Sequence, residues 1–175
     1  MMYLVTACFD NQTSHALDRI IDDTAEFTGN DFMTANHIPP HLTLLQFHSK
    51  ADLEKIISVF ENVIFPDYKI DVSFKKCQSE IPHVLYVPVV NEKLMKLNKM
   101  FSDSFSLLDE TIISPHYYPE KFYPHVSLAK RLEDFQRKKG IEFMKELKMP
   151  SSGKIDSIVL TEGKPPKKLS EIFLT

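Results

Sequence analysis

Two histidines stand in nearly the same five-residue phrase, Pro40-His41-Leu42-Thr43-Leu44 and Pro124-His125-Val126-Ser127-Leu128, 84 positions apart in a chain of 175. Imidazole changes charge near neutral pH, so it can take a proton or give one. A hydroxyl two residues on can donate a hydrogen bond to an oxyanion. Two such segments brought together from two similar halves would make a cleft with two imidazoles and two hydroxyls. That set of groups suits proton transfer at a phosphate.

The phrase also says what must position it. Proline cannot donate into a central ladder and biases its predecessor towards extended backbone, so it marks a strand entrance. Strict alternation puts His41, Thr43, Leu45 and Phe47 on one face, with Leu42, Leu44 and Gln46 opposite. In the second copy His125 and Ser127 share a face against Val126 and Leu128. The same parity points Lys130 away from His125.

Around these strands the periodicity predicts alternating elements. Residues 2–9 read as a strand. A helix capped by Ser14 carries Leu17, Ile20, Ile21, Thr24 and Phe27 to Gly29. The first repeat strand occupies 41–48, and a helix capped by Ser49 runs to Val63. Strands at 70–74 and 83–90 follow, then a helix over 92–108. Residues 109–123 read as irregular before the second repeat strand. A helix at 133–147 and strands near 154–161 and 169–174 complete the chain. Each half thus reads approximately as strand, helix, strand, helix, with further strands between and after. Glycine is scarce and no linker separates the halves, so 1–175 is expected to form one two-lobed domain.

With 43% hydrophobic and 26% charged residues the composition is that of a soluble globular protein. A formal charge of −3 argues against duplex DNA binding, which usually shows as a basic domain, but leaves room for a small phosphorylated ligand. Cys8 and Cys77 have neither metal nor redox spacing and suit a reducing cytoplasm. The start of the chain lacks the charged region of a signal peptide, and no apolar run reaches ~18 residues, so no membrane span is expected.

Other groups carry less. His37 and His41 have the spacing of a helical zinc pair, but Pro39 and Pro40 forbid the helix. Extended backbone sets them about 13 Å apart, so no metal site is expected. The loop from Ser114 to Tyr123 is rich in aromatics and reads equally as packing or as a flap that stacks on a base. Within it Tyr123 has the parity of His125 and is the candidate for substrate contact. Lys164, Lys167 and Lys168 form a basic turn that reads first as solvated surface.

Ile38-Pro39-Pro40-His41-Leu42-Thr43-Leu44 and Phe122-Tyr123-Pro124-His125-Val126-Ser127-Leu128-Ala129-Lys130 resemble the paired His-x-Thr/Ser signatures of the two-histidine (2H) phosphoesterase superfamily. The chain is most similar to its 2'-5' RNA ligase-like cyclic phosphodiesterases. The resemblance implies an α+β, bilobal fold: two similar lobes, each a mainly antiparallel sheet with helices outside, around a central cleft. It implies His41 and His125 as the catalytic pair, with Thr43 and Ser127 binding phosphate. Lys130 stands where family members often carry an arginine for the same purpose. The implied reaction is hydrolysis of 2',3'-cyclic phosphodiesters of nucleotides or RNA ends, without metal or other cofactor. A 2'-5' ligase or phosphodiesterase, and an RNA-end-binding module with little turnover, are the alternatives. Which histidine is the base stays open at this level, as does oligomeric state.

Overall fold

The computed structural model describes residues 1–63 and 68–175. The chain runs β1 (Met2–Phe9), α1 (Asn11–Thr28), the single turn α2 (Phe32–Ala35), β2 (His41–Ser49), α3 (Leu53–Asn62), β3 (Ile70–Phe74) and β4 (Val84–Val90). It continues through α4 (Glu92–Phe105), β5 (Thr111–Ile113), β6 (His125–Lys130), α5 (Asp134–Glu146), β7 (Ser152–Glu162) and β8 (Lys167–Phe173). Among the described residues no helix is long and apolar enough to cross a membrane.

Alternation decides which face of the sheet is dry. β1 buries Tyr3, Val5 and Ala7 and turns Leu4 and Cys8 to a half-exposed face. β3 buries Ile70, Val72 and Phe74 in the same way. The strands form one antiparallel sheet in the order β1-β2-β6-β4-β3-β7-β8. β7 also pairs with β1, so the hydrogen-bonded path through β1, β2, β6, β4, β3 and β7 returns on itself. β5 extends the far end of β2. This is the mixed, mainly antiparallel architecture expected.

Helices cover the dry face. α1 presents Leu17, Ile20, Ile21 and Thr24, and α4 presents Leu94, Leu97, Phe101 and Phe105. A fully buried aliphatic or phenyl side chain contributes roughly 1.5–3 kcal/mol relative to exposure, so these two stripes are what hold the helices to the sheet. α5 approaches β4 closely. A Cβ at Gly140 would lie 2.5 Å from Leu85 Cδ1, so any larger residue there would push the Leu85 side chain aside.

Helix starts differ from the sequence reading. Asp10, not Ser14, caps α1: its carboxylate accepts from Thr13 N–H at 2.9 Å, while the Ser14 hydroxyl donates to the Phe9 carbonyl. Asp52 precedes α3, because Ser49 is still in β2 and bonds Thr111. Phe27 is exposed on the outside of α1, where its ring meets that of Phe143. The stretch read as irregular contains β5 and a 3-10 turn at Pro115–Tyr117.

Candidate active site

The two histidine strands lie side by side. Leu42 pairs with Val126 between antiparallel β2 and β6. Carrying that register one residue each way sets His41 across from Ser127 and Thr43 across from His125. Each imidazole therefore has the other motif's hydroxyl as its neighbour. The segments from the two halves meet edge to edge rather than face to face. On the other side of β2, Cys8 pairs with His41 and Thr6 with Thr43. Beyond β6, Tyr86 pairs with Ser127 and Pro88 with His125.

The backbone treats the two histidines alike. His41 Nδ1 lies 2.8 Å from the Pro39 carbonyl, and His125 Nδ1 lies 2.8 Å from the Tyr123 carbonyl. A carbonyl oxygen only accepts, so each Nδ1 is the protonated nitrogen. Each neutral ring is thereby left with its lone pair on Nε2.

Both strands slip register at the same place. Val5 pairs with Leu45 but Thr6 with Thr43, leaving Leu44 unmatched. Leu85 pairs with Ala129 but Tyr86 with Ser127, leaving Leu128 unmatched. Each extra residue stands three positions after its histidine, and each inverts the alternation that follows. Strict parity is thus corrected in two respects. Leu45 and Phe47 join Leu42 and Leu44 in the core, all four at 0% exposure, while Gln46 and His48 turn to the histidine side. The second slip brings Lys130 onto the face of His125 and Ser127. Its ammonium acts on both imidazoles.

That face is partly shielded from solvent, with His41, Thr43, His125 and Lys130 half-buried. Burial first, and then the charge of Lys130, pushes His41 from 6.5 down to about 4. Burial also lowers His125, with the Tyr123 carbonyl opposing and Lys130 adding to the shift. Lys130 is itself lowered by burial and by the Lys164 charge. In the free protein near neutral pH the pair is therefore uncharged, beside a cation with no carboxylate partner among the described residues.

Several residues at this site escaped the sequence reading. Tyr117, on the 3-10 turn, brings its phenol up to Thr43, whose side chain opposes the rise that burial gives the phenol pKa. Asn98 of α4 is fully buried and holds the backbone at both Leu44 and Tyr117. On the other motif, the Tyr86 ring meets His125 edge-on at 5.3 Å, and its one hydroxyl proton lies between two acceptors, Gln78 Oε1 at 3.1 Å and Glu80 Oε2 at 3.0 Å. Tyr123, 49% exposed, lies nearly parallel to His125 and donates to the same Gln78 oxygen at 3.2 Å. Of the aromatic loop, then, Tyr117 and Tyr123 border the two motifs and Phe122 is core. No signal in the sequence marks Asn98 or Gln78, since both depend on contacts between distant segments. Among the described residues no three His, Cys, Asp or Glu side chains converge as metal ligands.

Comparison with known proteins places the chain. A family profile described as the 2'-5' RNA ligase superfamily matches residues 13–164. No curated protein matches the chain in sequence. The fold is similar to the crystal structure of TT0787 of Thermus thermophilus, with a TM-score of 0.67 at 15% identity, covering 99% of this chain and 98% of that one. It is also similar to E. coli LigT complexed with ATP, with a TM-score of 0.62 at 13% identity over 99% and 98% of the two chains. For LigT complexed with phosphate the values are 0.58 and 13%, over 99% and 96%. At these identities the structural likeness speaks for the fold alone. The profile takes in both histidine phrases and most of the chain, and by it this protein belongs to the 2'-5' RNA ligase superfamily, the two-histidine phosphoesterases.

Proposed function

We propose that this protein is a metal-independent phosphodiesterase that opens 2',3'-cyclic phosphodiesters of nucleotides or RNA ends. The observation that carries the reading is the matched anchoring of the two imidazoles. Both donate Nδ1–H to a carbonyl at 2.8 Å, which leaves two Nε2 atoms free for proton transfer across one phosphate. Work on nucleotides is further supported by E. coli LigT, a protein of this fold crystallised with 3'-AMP, ATP and NADP+.

In the proposed reaction a water oxygen attacks phosphorus in line with the departing ribose oxygen. One Nε2 removes the water proton as the new P–O bond forms, and the other Nε2–H protonates the alkoxide as the old bond breaks. Thr43 and Ser127 donate to the non-bridging oxygens, and Lys130 offsets the charge gathered there. His41 carries the larger pKa depression, so the single proton of the working pair rests on His125. His41 is then the base and His125 the acid in the ring-opening direction. The substrate's negative charge compensates Lys130 and makes that protonation easier on binding.

The whole chain acts as one two-lobed unit in this proposal, each lobe contributing one motif. Two free cysteines are compatible with a cytoplasmic, reducing setting. The test is chromatographic: purified protein is assayed against 2',3'-cyclic nucleotides, RNA ending in a cyclic phosphate, and 2'-5'-linked dinucleotides. Side chains supply acid, base and charge, so turnover of the cyclic substrates is expected to persist in EDTA. Turnover of 2'-5' linkages alone would replace the reading with the 2'-5' phosphodiesterase or ligase. Binding without turnover would leave an RNA-end-binding module.

A further inference from the structure

The two imidazoles are anchored alike, but on residues of unequal stiffness. His41 Nδ1–H goes to the carbonyl of Pro39, and His125 Nδ1–H to that of Tyr123. Both anchors precede a proline, which biases them towards extended backbone. Only Pro39 also has its φ fixed by a ring, so the Tyr123 carbonyl lacks a covalent restraint that its counterpart has. We propose that Gln78 supplies the missing restraint: it is a positioning residue that holds the Tyr123 phenol and so fixes the carbonyl on which the His125 imidazole hangs. The inference rests on the reading above of His125 as one of the two proton-transfer groups.

The ladder gives Tyr123 little support. β6 begins only at His125, whose partner on β4 is Pro88, a residue with no N–H to donate. Next to Tyr123, the Pro124 carbonyl accepts from Val89 N–H at 2.9 Å. The Tyr123 side chain is half-exposed, so burial does not immobilise it. Its phenol donates to Gln78 Oε1 at 3.2 Å, a contact that spans 45 positions of sequence.

Gln78 itself is firmly held. It exchanges two backbone hydrogen bonds with Tyr86, at 2.7 and 3.0 Å, in a bridge outside the named strands. The carbonyl of the next residue, Ser79, accepts from Arg137 Nη2 of α5 at 2.8 Å. Gln78 Oε1 also lies 3.1 Å from the phenol of Tyr86, which is buried. The amide therefore stands on a fixed post between two phenols, and both rings border His125, Tyr86 at 5.3 Å and Tyr123 at 6.4 Å between centroids. Were Tyr123 to swing away, its carbonyl would leave Nδ1. The imidazole could then turn and carry its proton on either nitrogen, and Nε2 would no longer be kept for proton transfer.

Two measurements on the full chain test this. NMR of the ring nitrogens reads the tautomer of each histidine without turnover, and near neutral pH the wild type is expected to carry Nδ1–H on both His41 and His125. Gln78→Leu and Tyr123→Phe should each give His125 a mixture of tautomers while His41 keeps its own. Tyr123→Phe retains the ring at a half-exposed position, so it stays folded even if Gln78→Leu does not. In hydrolysis of a 2',3'-cyclic nucleotide, each variant should lower kcat by roughly three- to tenfold, the net worth of one hydrogen bond, with KM within about twofold. The double variant should be no slower than either single one, because both remove the same contact. An unchanged His125 tautomer in Tyr123→Phe, additive losses in the double variant, or a higher KM at constant kcat would overturn the positioning role. A wild type that shows both Nδ1–H tautomers yet turns over no cyclic nucleotide would overturn the proposed function instead, and the Gln78 tether would then be decided by the tautomers alone.

Discussion

Asn98 donates its side-chain amide to the carbonyl of Leu44 at 2.8 Å, at the residue where β2 slips out of register beside the first histidine motif. Its second hydrogen goes to the Tyr117 carbonyl at 2.9 Å. One buried amide on α4 therefore ties the strand that carries His41 and Thr43 to the turn whose phenol faces Thr43. Among the described residues the Asn98 Oδ1 has no hydrogen-bond partner, while both amide hydrogens are used.

Asn98→Ala strips a donor from two carbonyls, and an unsatisfied buried polar group costs about 1–3 kcal/mol. Chemical denaturation of the variant should show a loss of that order, together with slower turnover. Tyr117→Phe leaves both carbonyl contacts in place and removes only the phenol from Thr43. It is expected to raise KM with a nearly unchanged denaturation midpoint. Full stability in Asn98→Ala would mean that the register slip holds without its side-chain support.

His41→Ala and His125→Ala should each slow hydrolysis of a cyclic substrate by roughly 10²–10⁴, the usual worth of one acid–base group. In the proposed reaction Thr43→Ala and Ser127→Ala would each remove one phosphate donor among several, and they should cost less. Circular dichroism should find all four variants folded, because none of these side chains lies in the apolar core. Unchanged turnover in a protein lacking both histidines would rule the pair out.

Much of this was legible in the residues. Proline before each motif announced the strands, and aliphatic–polar alternation announced a polar face over a dry one. The failures share a physical origin. Leu44 and Leu128 are ordinary strand residues, and nothing local says that the ladder skips them. The slip is set by partners on β1 and β4. Without it, parity assigns Leu45 and Phe47 to the cleft and sends Lys130 away from it. Capping erred at Ser14 for a related reason: Asp10 offers a stronger acceptor four residues earlier, and a helix starts at the first good cap it meets.

Lys130 ties the two motifs electrostatically, which gives a directional prediction. Its charge lowers both His41 and His125. In Lys130→Met both imidazoles should titrate at higher pH than in wild type, as followed by NMR of the ring resonances. Phosphate affinity should fall at the same time. Lys130→Arg keeps the charge and adds a bidentate fork, so it should keep the depressed titrations and bind phosphate at least as well. Ring titrations that do not respond to Lys130→Met would place the ammonium away from the histidine face.

The depressed pKa of His41 also couples folding to acidity. The unfolded chain protonates this ring near 6.5, the folded protein only at about 4. Between those values the unfolded state binds more protons, so stability rises with pH. The contribution is fully present above 6.5 and is lost as pH falls towards 4, with a slope of up to about 1.4 kcal/mol per pH unit for one such group. Denaturation midpoints measured from pH 7 to pH 4 should therefore fall less steeply in His41→Gln than in wild type. Inorganic phosphate should flatten the wild-type curve as well, because an anion beside Lys130 lets His41 protonate without unfolding. Parallel curves for His41→Gln and wild type across that window would show that the ring is solvated in the folded protein, and with it would go the reason for making His41 the base.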